Sequence, residues 1–259
     1  MAGLLRPLWA APDHAALLSA AVDVAAADGL DYLGRLLAAP AAPGRTSLLA
    51  ALRRGAVDAD YPASGGYILH LYHFHQPWTH RGYADSPVSG ARVTAALFNK
   101  ALHLWRAGRR AKAAYQLGRA SHPLADCWVP YHAAGVLLCG HGPYEAWLTE
   151  GDRWREWLPG GGGRYSWQLA FRPDDGGPPH VLDWRTPYHW VDLAAHESYP
   201  WFTRCLDGCA GVSGVRLASF FPEAAAALVP GAVRHLAGFL HYFFTLAGAA
   251  PAGSEAGPG

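Results

Sequence analysis

The chain has 259 residues, about half of them hydrophobic, with 16% charged and a net charge of +1. That suffices for one large core, so a single domain is the default. With no long Lys/Arg run, bulk electrostatic attraction to nucleic acid or anionic lipid is not expected. The sequence carries 14 His, 11 Trp, 12 Tyr and four Cys. No cysteine pair forms CxxC, which argues against zinc held by thiolates. Cys127 and Cys139 pair only if the protein is secreted; free buried thiols are the equal alternative, so cysteine usage fixes no compartment.

The apolar spacing predicts helices almost throughout. Residues 1–8 form an extension that lacks the apolar run of a signal peptide. Asp13 to Leu37 reads as one helix with Asp13 as its N-cap, and Thr46 to Arg54 as a short helix ended by Gly55. Residues 56–91 read as a long loop rich in Pro, Gly, Tyr and His, a length that points to function. Helices follow over Ala91–Ala107 and Arg110–Val129, the second running through the core until Pro130 stops it. Pro143–Trp157 is helical. Pro159–Pro179 is a Gly- and Pro-rich excursion in which Tyr165–Phe171 is a candidate strand, and its glycine run lacks the Lys-Ser/Thr of a phosphate cradle. Pro187–Tyr199 and Pro222–Leu246 are helices, and residues 249–259 read as a disordered tail. No segment is long and apolar enough to span a bilayer.

The chemistry concentrates in His122-Pro-Leu-Ala-Asp126-Cys-Trp-Val-Pro130-Tyr-His132 and His141-Gly-Pro-Tyr-Glu145. His122 and Asp126, like His141 and Glu145, are i,i+4 pairs that share one helix face. His132 lies just past Pro130, so the chain can turn it toward a second group of ligands. Imidazole and carboxylate without thiolate suit zinc sites that keep a position open for water. Upstream, Asp60, His73 and His14 extend the set. His103, His180, His189, His196, His235 and His241 have no ligand-type spacing and read as structural or surface residues, while His70, His75 and His80 read as lining a cleft mouth.

His-x3-Asp-x5-His followed by His-x3-Glu resembles the zinc-dependent phospholipase C family, the alpha-toxin-like bacterial enzymes, which are related to single-strand-specific zinc nucleases. The surroundings agree: Tyr115-Gln-Leu-Gly118 before the motif, Trp190-Val-Asp-Leu-Ala-Ala195 after it, and similarity from about Trp9 to about Gly248. The resemblance implies an all-α fold: one helical domain of the phospholipase C and zinc nuclease type over residues 9–248. It implies roughly two or three zinc ions per chain: one on Asp60, His73, His122 and Asp126, a second on His132, His141 and Glu145, and a third on His14, Asp126 and the amino and carbonyl groups of Trp9. Trp9 departs from the family pattern, because eight residues precede it where the family has a free N-terminus.

In the resemblance Asp60 is also the general base, and the reaction is hydrolysis of a phospholipid by attack of activated water on phosphorus. Tyr61 matches an aromatic that contacts a choline head group, and His70 stands where a second aromatic is expected. Other phosphodiesters therefore stay open as substrates. The alternative is a single-strand nuclease or 3′-nucleotidase using the same cluster, the one reading in which nucleic acid is a partner; Glu145, where nucleases have Asp, favours the lipase branch. The substrate implies a membrane surface and no obligate protein partner. The family is extracellular or periplasmic, while the missing signal peptide leaves the cytoplasm open.

Overall fold

The computed structural model describes residues 11–40, 46–61, 70–136, 140–160, 186–206 and 214–251. Among these residues the architecture is all-α. The helices are α1 (Ala11–Ala27), α2 (Asp31–Ala38), α3 (Leu48–Asp58), α4 (Gly90–Arg106), α5 (Arg110–Asp126), α6 (Pro130–Ala134), α7 (His141–Thr149), α8 (Pro187–Leu206) and α9 (Gly214–Leu246). Short 3-10 segments cover His70–Tyr72, Tyr83–Asp85 and Glu150–Trp157. The one β contact among the described residues is an isolated bridge between Pro40 and Ser47.

The expected helix Asp13–Leu37 is two helices. Gly29, at φ +84°, takes the left-handed position after α1. The Gly29 amide donates to Ala26 O (3.1 Å) and the Leu30 amide to Ala25 O (2.8 Å), which terminates α1. The helix starts at Ala11, so Asp13 lies in its first turn rather than capping it. Its carboxylate instead accepts from Trp154 Nε1 at 3.3 Å, tying the Glu150–Trp157 segment to the turn that carries His14.

Helix α3 begins at Leu48, two residues later than expected, and runs further, to Asp58. Ser47 is the N-cap, its hydroxyl accepting from the Ala50 amide. Gly55 does not end the helix; it lies inside it, where α3 meets α5. A Cβ added at Gly55 would stand 2.0 Å from Tyr115 O, and one at Gly118 would stand 1.9 Å from Leu52 O. The two glycines thus let the helix backbones touch, a close approach that side chains of any size would hold apart.

Helix α5 follows the expected course through the core, buried almost continuously from Ala113 to Asp126 except at Tyr115 and Arg119. Pro130 stops nothing: α5 closes at Asp126, and Pro130 opens α6 at its first turn, where its fixed φ and missing N–H suit a helix start. The expected helix Pro143–Trp157 begins earlier, at His141, and is broken after Thr149, where Gly151 and Asp152 take positive φ. Helix α8 continues through Pro200, and α9 begins before Pro222 and passes Pro230. The buried α9 side chains Leu236, Phe239, Leu240, Phe243 and Phe244 supply one wall of the core, with Phe98, Trp105 and Trp190 against them. No described helix is long and apolar enough to cross a membrane. The Ala249 and Ala250 amides still bond to Phe244 O; residues 252–259 of the expected tail, the Gly-rich excursion from residue 161, the candidate strand and residues 1–8 lie outside the described residues.

Candidate metal centre

The close α3–α5 contact brings the C-terminal end of α3 against the face of α5 that bears His122 and Asp126. His122 Nδ1 donates to Ala56 O at 2.8 Å. This fixes the imidazole tautomer and leaves Nε2 directed at two carboxylates, Asp60 Oδ1 at 3.3 Å and Asp126 Oδ2 at 3.2 Å. His73 closes the group, its Nδ1 2.9 Å from Asp126 Oδ2 and 3.7 Å from Asp60 Oδ1. The other oxygen of Asp126, Oδ1, faces His14 Nε2 at 3.3 Å. Asp126 therefore stands between two sets of imidazoles. The His14 ring stacks on His122 with centroids 3.7 Å apart.

A second cluster joins α6, which carries His132, to α7, which carries His141 and Glu145. His132 Nε2 and His141 Nε2 both lie 3.1 Å from Glu145 Oε1, and the two nitrogens are 2.9 Å from each other. Phe74 stacks on His132 at 4.4 Å and holds its ring plane. His14, His73, His122, Asp126, His132, His141 and Glu145 are all buried, and the Asp60 side chain is 6% exposed.

Both clusters fit zinc. Ligand atoms bound tetrahedrally at about 2.0–2.1 Å stand about 3.3–3.4 Å apart. Most of the separations above lie within half an ångström of that edge. The triangle of His132, His141 and Glu145, with sides of 3.1, 3.1 and 2.9 Å, lies slightly inside it. If both imidazoles donated to Glu145, two N–H groups would face each other at 2.9 Å, an arrangement that a shared cation relieves.

The electrostatics follow from crowding opposite charges where water is excluded. Burial pushes Asp60 up, but the charge and hydrogen bond of His122, with His73 and His14, hold it down to about 2. Burial likewise opposes ionisation of Glu145, and His141 and His132 together bring it to about 2. Asp126 is held well below the carboxylate range against its burial by His122, His132 and His14. Burial disfavours the His122 cation, yet Asp60 and Asp126 outweigh it and raise that group well above the usual imidazole value. His73 is lowered, first by burial and then by the His122 charge.

These shifts predict how the metal-free protein responds to pH. A carboxylate whose folded pKa is depressed contributes stability above its unfolded pKa and loses it as pH falls. For Asp60 and Glu145 that loss runs from about 4.5 down to about 2, on the order of 2 kcal/mol for each. His122 has the opposite sign: its contribution is complete below the usual imidazole value and is lost as pH rises through its elevated folded value. Urea midpoints of chelator-treated protein are expected to rise steeply between pH 2 and about 4.5. A flat profile there would show that these pairs are not formed without metal.

Trp9 lies outside the described residues. Tyr61 follows Asp60 directly and is 47% exposed. His70 stands in the His70–Tyr72 turn; its side chain lies outside what is described. Cys127 is a buried free thiol 3.5 Å from His73 O, raised by burial and by the charges of Asp126 and Asp192; Cys139 lies outside the described residues. His235 Nε2 donates to Trp190 O at 2.6 Å and His241 Nδ1 meets Tyr32 Oη at 2.7 Å, both structural roles. His75 and His80, expected at a cleft mouth, instead converge on Asp192 of α8. Asp192 was not singled out in the sequence, although its i,i+4 relation to His196 was a readable signal.

No protein-family model matches the sequence, and no curated protein matches it. The fold is that of the clostridial alpha toxins. Alpha toxin from Clostridium absonum superposes with a TM-score of 0.67 at 19% identity, covering 93% of this chain and 65% of the toxin. The Clostridium perfringens alpha toxin from avian strain SWCP superposes with a TM-score of 0.58 at 18% identity, covering 92% of this chain and 63% of the toxin. The chain thus spans less than two thirds of either toxin's length.

Proposed function

We propose that the chain is a zinc-dependent phosphodiesterase of the phospholipase C type. The observation that carries this reading is the pair of buried imidazole–carboxylate clusters, with Asp126 presenting one oxygen to His14 and the other to His73 and His122. Asp60, His73, His122 and Asp126 would hold one zinc ion, and His132, His141 and Glu145 a second. His14 and Asp126 would supply part of a third site. When bound, the ions lower the pKa of a water molecule and offset the negative charge that builds on the phosphoryl oxygens.

The chain's own groups supply the rest. Asp60 is ionised, and its carboxylate would accept the proton of the attacking water. The water oxygen joins phosphorus, the bond from phosphorus to the glycerol oxygen breaks, and that oxygen takes up a proton. Diacylglycerol and a phosphorylated head group result. The Ala56 carbonyl keeps His122 in the tautomer that presents Nε2. Tyr61, exposed beside Asp60, would meet the head group, where an aromatic face attracts a quaternary ammonium. Such a substrate means that the protein works at a phospholipid surface.

Elemental analysis together with a substrate screen tests the reading. Wild-type protein is expected to carry roughly two or three zinc ions and to release diacylglycerol from phospholipid vesicles. Asp60→Asn is expected to lose about 10²–10⁴-fold in rate, the usual share of a positioned base, more than its loss of zinc accounts for. Cleavage of single-stranded DNA with phospholipids untouched would transfer the same centre to the nuclease reading. Protein that takes up no zinc when offered it would end both.

A further inference from the structure

We infer that His75, His80 and Asp192 form an additional divalent-cation site, separate from the clusters above, that clamps the loop before α4 to helix α8. Asp192 Oδ1 is the common point: His75 Nε2 lies 2.7 Å away and His80 Nδ1 3.0 Å away. These three donor atoms fall within 4.8 Å of one another. His196, one turn along α8 from Asp192, brings Nε2 to 3.8 Å from the other carboxylate oxygen. Two imidazoles and one carboxylate, with the His196 imidazole next to them, make a donor set that suits zinc better than magnesium or calcium.

Three features distinguish this group from an incidental histidine pair. His75 is fully buried, and its far nitrogen, Nδ1, lies 2.9 Å from Ser89 Oγ. Ser89 is the N-cap residue of α4, yet its side chain caps nothing. A hydroxyl that ordinarily serves the helix end is turned instead onto an imidazole, which is how an outer hydrogen bond fixes the nitrogen that binds a metal. Second, His80 adopts φ +56°, a backbone state uncommon for residues with a Cβ. Third, the separations of 2.7 and 3.0 Å to Asp192 Oδ1 need to open by only about half an ångström to reach a tetrahedral edge. The His80 side chain is 52% exposed, so the site is open to a cation from solvent.

The site also has a structural consequence. The His75 amide donates to His132 O and the Gly90 amide to Phe74 O, so the segment between them braces both a ligand of the second cluster and the strand of chain that bears His73. A cation joining His75 and His80 to α8 would hold that segment in place without taking part in the chemistry.

The test is zinc stoichiometry and affinity by calorimetric titration of chelator-treated full-length protein, comparing wild type with His80→Ala and Ser89→Ala. His80→Ala changes a half-exposed loop residue and is expected to bind one zinc ion fewer than wild type. Ser89→Ala is expected to keep the count but weaken one binding event by about 10–100-fold. Zinc should raise the melting temperature of wild type more than that of His80→Ala. Equal stoichiometry in wild type and His80→Ala, with Ser89→Ala binding as wild type does, would reduce the cluster to a hydrogen-bonded His–Asp network. Because each variant is compared with wild type on metal uptake alone, this outcome is independent of whether the main centre hydrolyses a phosphodiester.

Discussion

Replacing Asp126 by Asn is expected to abolish activity, with at least about a 10³-fold loss in rate, and to release two ions together. The carboxylate faces His14 with one oxygen and the His73–His122 pair with the other. An amide oxygen carries no charge to offset a cation, and the NH2 group would present protons to one set of imidazoles where they need an acceptor. The metal-free protein should also suffer. Asp126 is buried beside His122, whose positive charge it supports, and removing one partner of a buried pair costs about 3–5 kcal/mol. Zinc content by elemental analysis and thermal unfolding with and without chelator read the two effects separately. A variant that keeps its full zinc content would show that Asp126 does not bridge, and the first and third sites would have to be redrawn.

The second large effect is expected at a residue that bears no functional group. Gly118→Ala places a methyl 1.9 Å from Leu52 O, and the opposing atom is helix backbone rather than a side chain that can rotate away. Helix α3 must move off α5. Overpacking of this kind typically costs about 1–3 kcal/mol and occasionally more; backbone against backbone belongs at the upper end. The displacement would also lengthen the bond from His122 Nδ1 to Ala56 O and draw Asp60 away from His122 Nε2. Zinc affinity at the first site should therefore fall by about tenfold or more even where the variant remains folded. Gly55→Ala, on the reciprocal face, should behave alike. Denaturant unfolding and zinc titration check both. Wild-type affinity in a destabilised Gly118→Ala protein would mean that the site tolerates a helix shift, and that Ala56 has no part in orienting His122.

The two glycines show where sequence reasoning reaches its limit. Gly55 read as a helix end because glycine is a helix terminator in isolation; its role inside α3 depends on α5, whose Tyr115 carbonyl lies across it from far along the chain. Pro130 was legible as a break, but whether a proline ends one helix or opens the next is decided by the turn before it, here residues 127–129. The His-x3-Asp and His-x3-Glu pairs were legible because helical periodicity alone places their side chains together. The loop histidines were not: His73 and His75 are two residues apart, yet one faces Asp60 and Asp126 while the other faces Asp192 of α8.

By itself, then, the sequence determined the helical class, the two local histidine–carboxylate pairs and the turn that sets His132 apart from His122. Each of these depends on contacts within about one or two turns of chain, which residue spacing encodes directly. Only the tertiary structure decided which oxygen of Asp126 faces which imidazole, that Ala56 orients His122, and that His75, His80 and Asp192 meet at all. Those contacts join positions tens to more than a hundred residues apart, and they exist because packed helices, through the glycine contact of α3 with α5 and the docking of α8, bring distant backbone into register.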